Sequence, residues 1–431
     1  MRFLFLIFIL LILSIRQDLN ASFLIEIKVS SVSLAQCYSW AKERSETLKM
    51  RQEEIEQFEA HARSILGSAY PEVNWELSST WQDPNGIHQL EKKGFSGFAR
   101  KNQVESYLSI HQPLFSGLRE YSSYRGFLMQ KESHVLLLKT ISRNLYEQTA
   151  VMFYSVLSLE TELKNINLAL TLAKDRIQEL KLFLSLGKSR ESEVFTAEAR
   201  FFAIQAQAEQ IRAKIESAKI QLCYLTGRNL SNVIFMDTLS NFPSFDSLEN
   251  IQKIAKNRSD ILAQKKEIVA AQFRVKYKKG FYWPKLELNG RYHTQRSGVL
   301  EDIDWDIMFL LKLPIYQGGS VVADIRESES MYRHSLFVLD DLERRISQAI
   351  HKLYVELSGS IRESQSLDEA VDGAQKSYDA LLKEYRLGLV TNLDVLQALD
   401  LLQVERSSLD SARIKTKLLY LQLLVAMEQK P

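Results

Sequence analysis

Residues 186–197 read LGKSRESEVFTA, and residues 387–398 read LGLVTNLDVLQA. In both stretches a Leu-Gly pair is followed at the same spacings by an acidic residue, a valine and an alanine. Each glycine interrupts a long stretch of helical periodicity. Gly187 and Gly388 therefore predict the turns of two helical hairpins, because a reversal between helices favours a residue that adopts a left-handed backbone.

The doubling extends over most of the chain. Ser33-Leu34 and Ala41-Lys42 are matched by Ser247-Leu248 and Ala255-Lys256, which lie at a single fixed offset from them. Ordered identities at fixed offsets indicate an internal duplication. We predict a first structural repeat at 22–242 and a second at 243–431, each with a charged helix, two strands and a long helical hairpin.

The N-terminus has the pattern of a signal peptide. Arg2 precedes an apolar run from Phe3 to Ile15, and about thirteen residues suit a signal peptide but fall short of the ~20 that span a bilayer as a helix. Residues 1–21 are the predicted signal peptide, with cleavage near Ala21. An uncleaved anchor is the alternative.

Charge and cysteine usage exclude some classes of protein. The chain has 55 basic and 53 acidic residues and a net charge of +2, with no basic stripe, so nucleic acid is not a predicted partner. Cys37 and Cys223 could pair in principle, but two cysteines so far apart in sequence make no disulfide framework, and we expect each to be a small apolar residue on a helix.

No catalytic, metal or cofactor motif is present. The seven histidines are scattered, and the chain lacks HExxH, a nucleophile elbow, a P-loop and a dinucleotide fingerprint. Gly318-Gly319 lies between a strand and a helix but lacks the P-loop lysine. We therefore predict that the protein is not an enzyme and holds neither a cofactor nor a metal.

Period-two alternation predicts two strands in each repeat. The windows are Val73–Trp81 and Val104–Gln112 in the first repeat, and Leu286–His293 and Trp305–Leu313 in the second. An alternating apolar face with tryptophans is typical of transmembrane β-barrel strands, although a small soluble hairpin packed on a helix is an alternative. Four strands are too few to close a membrane barrel, which needs about eight, so this interpretation requires several chains.

Proline and glycine follow the second strand of each repeat. We predict that Pro113 and Gly117 in the first repeat, and Pro314 and Gly318 in the second, make the bends from strand to helix at the rim of the barrel.

Long helices fill the rest of each repeat. Apolar residues recur at spacings of three and four from Leu138 to Leu184, which predicts a coiled-coil stripe on a helix about 100 Å long. A second long helix is predicted at 320–386, and return helices at 191–225 and 392–427. The predicted fold is therefore mainly α with a small β part, built from duplicated long antiparallel coiled-coil hairpins.

These features together resemble the TolC-like outer-membrane efflux proteins. The resemblance rests on the two repeats, the paired segments Pro113–Gly117 and Pro314–Gly319, the duplicated tips, and Leu225-Thr226-Gly227 closing the first repeat. It implies a homotrimer in the bacterial outer membrane, in which four transmembrane strands per chain build a twelve-stranded β-barrel in lipid. The helical hairpins then form an α-barrel across the periplasm, which a periplasmic adaptor protein and an inner-membrane pump open.

The resemblance also implies a gate at the helical tips. Gly187 and Gly388 match the turn glycines, Glu193 and Tyr385 match partners that hold the tips closed, and Asp394 matches an acid that rings the constriction. Three carboxylates around one axis would repel one another and raise their pKa values.

The chain departs from the family pattern at two tip positions. Gln397 stands where some members have a second acid, and Val390 where some have an arginine that bonds across the tip. We expect a lock that is weaker or differently made, with the second tip as the moving part.

Two other classes of protein remain open at this point. A periplasmic coiled-coil scaffold or adaptor would have the hairpins but no barrel, and it would not need tryptophans in alternating strands. An exported enzyme would need a site that the sequence does not name. The sequence does not indicate whether the cargo of a duct is drugs, metal ions or proteins.

Overall fold

A computed structural model describes residues 25–26, 31–84, 87, 102–231, 233–239, 247–297 and 300–429. The predicted signal peptide, 1–21, and most of the loop after the first strand window lie outside the described residues. No helix among the described residues is long and apolar enough to cross a membrane.

Helices account for most of the described residues. In chain order they are α1 Leu34–Arg44, α2 Glu46–Gly67, α3 Arg119–Ser185, α4 Glu191–Thr226, α5 Leu248–Ala255, α6 Ser259–Lys279, α7 Ser320–Arg386 and α8 Asn392–Ala426. The strands are β1 Ile25–Glu26, β2 Ser31–Ser33, β3 Glu72–Trp81, β4 Asn102–Phe115, β5 Arg228–Asn229, β6 Ile234–Met236, β7 Lys285–Gln295 and β8 Trp305–Lys312. The mainly α class with a small β part is thus confirmed.

The hairpin helices recur with the spacing of the sequence repeat. Helices α3 and α7 are each 67 residues long. Both ends of α7 follow the corresponding ends of α3 by the same offset that separates Gly388 from Gly187, and the start of α8 follows the start of α4 by that offset too. Each predicted charged helix is instead divided in two, at Ser45 in the first repeat and at 256–258 in the second.

The compact units of the structure combine segments from both repeats. One, which we call the tip unit, contains residues up to Glu46 together with Ser142–Gln252 and the residues from Gln348 onwards. The other, the sheet unit, contains Thr47–Ile141 and Lys253–Ser347. These units are not the two sequence repeats. The boundaries of the repeats, 22–242 and 243–431, stay a prediction.

The sheet unit contains one antiparallel sheet in the order β3-β4-β7-β8. Trp75 lies opposite Leu108, which lies opposite Tyr292, which in turn lies opposite Trp305. Because facing residues share a side of a sheet, most apolar residues of the four strands lie on one face, whereas Met308 and Leu310 of β8 lie opposite Asn289 and Glu287 on the other face.

The second strand of the first repeat is longer than predicted. It continues past Gln112 to Phe115, with a register irregularity between Pro113 and Phe115. Proline has no N–H to donate, so its place in a strand is restricted to edges and irregular positions, and Pro113 lies at such an irregularity.

The tip unit has a core that the sequence did not predict in full. Two short parallel pairs join the N-terminal segment to the link after α4: β1 pairs with β5 and β2 pairs with β6. Val32 of β2 and Phe235 of β6 lie in a core cluster with Phe153 and Leu222 of the long hairpin. These strands are two or three residues long, too short to show a period in the sequence.

Both cysteines lie at this core, and both are free thiols. Cys37 is buried, and desolvation together with the nearby Cys223 raises the pKa of its thiol to about 12. The expectation that each is a small apolar helix residue fits this placement.

Candidate functional site

Glycines in the left-handed region turn both hairpins. Gly187 has φ +71° and Gly388 has φ +78°. After each glycine the next residue donates its N–H back into the last turn of the long helix: Lys188 to the carbonyl of Phe183 at 2.8 Å, and Leu389 to that of Glu384 at 3.0 Å. An added Cβ would meet no atom within 4 Å at either glycine, so it is the backbone angle that favours glycine here.

The valine and alanine of the repeated motif are buried in each tip. Val194 and Ala197 pack with Leu180 in the first hairpin, while Val395 and Ala398 pack with Tyr378 in the second. These positions explain the spacing of the motif, because residues three apart lie on the same face of a helix.

The structure brings Glu193 and Tyr385 together. The Tyr385 hydroxyl donates a hydrogen bond to Oε2 of Glu193 at 3.2 Å, and Ser189 donates to the same oxygen at 2.7 Å. The Tyr385 ring also stacks on Phe183 of the first hairpin, with centroids 6.2 Å apart. Desolvation raises the pKa of Tyr385 overall, although the adjacent Arg176 lowers it. The first repeat thus supplies the acid of this contact and the second repeat supplies the tyrosine.

Asp394 has a different environment. It is the third residue of a capping box: the Thr391 N–H donates to its carboxylate at 2.8 Å and the Thr391 hydroxyl at 2.6 Å. These hydrogen bonds hold the pKa of Asp394 below its ordinary value. The upward shift expected for a ring of carboxylates needs three copies and stays a prediction.

Gln397 is exposed one turn further along α8 and is not brought to the Tyr385 contact. Val390, where some family members carry an arginine, is partly exposed in the turn between α7 and α8. An arginine does lie at the tips, but on α3. Arg176 is buried and its guanidinium carbon stands 3.8 Å from the centre of the Tyr385 ring. Sequence reasoning missed it, because a single arginine on a long helix, beside the apolar stripe, has no signal of its own.

The predicted rim residues lie in the sheet unit. Gly117 has φ +71° and Gly318 has φ +61°. A Cβ added to Gly117 would lie 2.3 Å from the carbonyl oxygen of Gly280, whereas one added to Gly318 would meet no atom within 4 Å. Pro113 lies within β4 opposite Glu287, and Pro314 follows the end of β8. The two bends therefore have matching backbones and unequal surroundings.

Among the described residues, no group of three or more His, Cys, Asp and Glu side chains is placed to hold a metal ion. The tip contacts consist of hydrogen bonds, ring stacking and a buried cation, which can hold two hairpins together.

Comparison with known proteins gives consistent matches. The family model described as outer membrane efflux protein matches residues 250–427. The outer membrane efflux protein BepC of Brucella suis biovar 1 (strain 1330) is 23% identical over 297 residues, which cover 68% of this chain and 64% of BepC. The outer membrane protein TolC of Salmonella enteritidis is 21% identical over 359 residues, which cover 79% of this chain and 70% of TolC. The chain thus spans less than two thirds of BepC and somewhat more of TolC.

The fold also matches solved structures. The crystal structure of the outer membrane protein VceC from Vibrio cholerae superimposes with a TM-score of 0.78 at 16% identity, covering 92% of this chain and 96% of VceC. This likeness shows a shared fold.

Proposed function

We propose that the chain is a TolC-like outer-membrane efflux protein, as the match of the outer membrane efflux protein model to residues 250–427 supports, and that it acts as a passive exit duct in the bacterial outer membrane, with its helical tunnel in the periplasm. In this proposal a periplasmic adaptor protein and an inner-membrane pump complete a tripartite efflux or type I secretion system. In this proposal the pump supplies the energy for transport and this chain supplies the passage.

One observation carries the proposal: the apolar face of the sheet is exposed in a single chain. Trp81 is 75% exposed, Phe309 68% and Leu311 66%. Alternating apolar residues with tryptophans are what a strand needs when one face meets lipid, and an exposed apolar patch of this kind indicates an interaction surface. The rival function, a periplasmic scaffold without a barrel, would not require an exposed apolar face on this sheet.

The sheet also has two open edges. Among the described residues, β3 pairs with β4 alone and β8 pairs with β7 alone. Open edges present unpaired N–H and C=O groups, which are not tolerated in lipid. We propose that three copies join edge to edge into one twelve-stranded barrel, since even the smallest membrane barrels need about eight strands.

The repeat indicates how the copies join. Strand β4 of the first repeat pairs with β7 of the second, and Ile110 lies opposite Gly290. The two strand hairpins share one register, because the pair Glu72 and His111 in the first repeat corresponds to the pair Lys285 and Lys312 in the second. Strands β8 and β3 are the counterparts of β4 and β7 in the opposite repeats. If the same pairing recurs between chains, β8 of one copy would pair with β3 of a neighbouring copy.

This register pairs compatible side chains. On the apolar face, Leu311 would lie opposite Leu77 of the neighbouring copy. On the other face, Lys312 would lie opposite Glu76 of that copy. Their counterparts within one chain, His111 and Asn289, are hydrogen bonded at 2.7 Å. A shift by one residue would place apolar side chains against the polar face.

The glycines at the bends support the same arrangement. Within one chain Gly117 fits closely against Gly280. In the opposite repeats, Gly318 is the counterpart of Gly117 and Gly67 is the counterpart of Gly280. A Cβ added to Gly318 or to Gly67 would meet no atom within 4 Å. We propose that Gly318 of one copy fits against Gly67 of the next.

The proposal predicts a specific purified state. Extracted from outer membranes in detergent, the protein should have the mass of three chains by light scattering, and it should conduct ions in planar bilayers. A soluble monomer without conductance would contradict the duct and favour the scaffold.

A further inference from the structure

The tip unit contains a buried arginine that the duct mechanism above does not use. The side chain of Arg176, on α3, is only 3% exposed. A buried charge is costly unless it is paired and hydrogen bonded. What surrounds Arg176 therefore indicates why a buried cation is kept near the end of a helix that ends at Ser185.

Arg176 contacts both helices of the other hairpin. Its guanidinium stacks on the ring of Tyr385, near the end of α7, at 3.8 Å. Its Nε donates to Oδ1 of Asn392, the first residue of α8, at 2.9 Å. A single side chain thus joins the first hairpin to both sides of the turn in the second.

An ion pair extends this contact. Nη1 of Arg176 donates to Oε2 of Glu179 at 2.7 Å, and Nε of Arg386 donates to the other carboxylate oxygen at 2.9 Å. Burial raises the pKa of Glu179, but the hydrogen bonds from Arg386 and Arg176 outweigh it and the pKa is lowered overall. Glu179 is therefore held as an anion between two cations, one from each hairpin.

The hydrogen-bonding groups of Arg176 are only partly satisfied. Its second terminal nitrogen, Nη2, is buried and has no hydrogen-bond partner among the described residues. A partly satisfied buried network is less stable than a complete one, which suits a contact that has to open.

We propose that Arg176 is a positioning residue of the tip lock: by stacking on Tyr385 and bonding Asn392, it holds the tyrosine hydroxyl within reach of Glu193 and so sets how readily the tips separate. This inference rests on the proposed duct function, and it assigns to α3 the arginine that the turn of the second hairpin lacks at Val390.

The test compares two arginines of the same helix, the buried Arg176 and the partly buried Arg143. Arg176→Met removes the cation and its bonds but fills the space. Arg143→Met is the matched control, because Arg143 is 12% exposed on α3 and pairs with Glu428 at 2.8 Å, away from the tip contacts. In planar bilayers Arg176→Met should raise the ratio of open to closed channels about tenfold, which corresponds to about 1.4 kcal/mol. Arg143→Met should leave that ratio unchanged.

A double-mutant cycle separates positioning from general support of the helix. Tyr385→Phe keeps the ring under the guanidinium but removes the hydroxyl that Arg176 is proposed to position, so most of the effect of Arg176→Met should disappear in that background. Tyr385→Leu removes the ring, so most of the effect should disappear there, since residues in contact show non-additive effects. Arg176→Lys, which keeps a charge but cannot reproduce the planar fork, should be intermediate.

The outcomes distinguish this inference from the duct itself. If all variants purify as trimers and conduct, but Arg176→Met gives the wild-type ratio or keeps its full effect in the Tyr385→Phe background, the positioning role is wrong and the duct stands. If the wild-type protein does not conduct, the proposed function fails first. If Arg176→Met fails to assemble, the Arg176→Lys cycle decides, and additivity with Tyr385→Leu would overturn the role.

Discussion

The hydroxyl group of Tyr385 lies 3.2 Å from Oε2 of Glu193, although the two residues are far apart in the chain. This hydrogen bond joins the turn regions of the two hairpins. Asp394, which occupies the position of Glu193 in the second repeat, bonds instead to Thr391 of its own helix. The duplicated acids have therefore taken different roles: one contacts the other hairpin and one caps a helix.

The first prediction concerns this hydrogen bond. Tyr385→Phe combined with Glu193→Gln should raise the open-to-closed ratio of the channel, because a buried or half-buried hydrogen bond contributes about 1 kcal/mol, or about fivefold. Single-channel recording in planar bilayers measures this ratio. Tyr224→Phe is the control, since Tyr224 is 84% exposed on α4. Equal open-to-closed ratios in wild type and the double variant would show that this hydrogen bond does not affect gating.

The second prediction concerns the effect of acid on Glu179. The pKa of Glu179 is lowered in the folded chain, so its ion pairs stabilise the joined tips fully above the ordinary glutamate pKa of about 4.3 and lose this effect as pH falls through the lowered value. Channels should therefore become easier to open only below about pH 4.3.

The control for this acid effect is Glu179→Gln, which should open more readily at neutral pH and lose the acid-dependent step. An acid-dependent step that persists unchanged in Glu179→Gln would assign it to another carboxylate.

The third prediction distinguishes two roles of Asp394, as a helix cap or as one of three carboxylates in a constriction ring. Hydrogen bonds from Thr391 lower its pKa in the single chain, so the stability it contributes should be present above the ordinary aspartate pKa of about 3.9 and be lost only as pH falls below that value. Thermal melting of wild type and Asp394→Asn across pH measures the difference. If the difference disappears at higher pH instead, repulsion among three carboxylates dominates and the constriction ring gains support.

The fourth prediction uses the repeat to find the contact between copies. Gly67→Ala should be harmless within one chain, because an added Cβ meets no atom within 4 Å. It should nevertheless weaken the trimer if Gly67 packs closely against Gly318 of the next copy, as Gly280 packs against Gly117 within one chain. Gly373→Ala, at an open position inside α7, is the control and should stabilise by about 0.5–1 kcal/mol. Trimer fraction after mild heating in detergent is the readout, and identical fractions for both variants would reject this contact.

Periodicity predicted the elements of the fold well, and for a physical reason. The start of α7 at Ser320 and its end at Arg386 agree with the sequence, because this segment repeats the long helical pattern of the first hairpin and is bounded by Gly319 and Gly388. The short strands β2 and β6 were missed, since such short segments carry no period and their pairing depends on partners distant in the chain, such as Ser31 and Ile234.

The candidate site was predictable only in part. The turn glycines follow from backbone geometry, and the family resemblance named Glu193 and Tyr385, which the structure places in contact. Arg176 could not be found, because its role depends on which residues of another hairpin surround it. The apolar periodicity of one helix does not show which residues of another helix pack against it.

The most direct test of the account is cross-linking between the open edges of the sheet. In a background with Cys37→Ala and Cys223→Ala, the pair Glu76→Cys and Lys312→Cys should link neighbouring copies with a short thiol reagent, because directly opposed residues have Cβ atoms about 4.5–5.5 Å apart. Glu76→Cys with Met308→Cys, which is well out of register, should link poorly. We predict covalent trimers from the first pair on a non-reducing gel. Single chains from the first pair, or trimers only from the second, would contradict edge-to-edge assembly in this register.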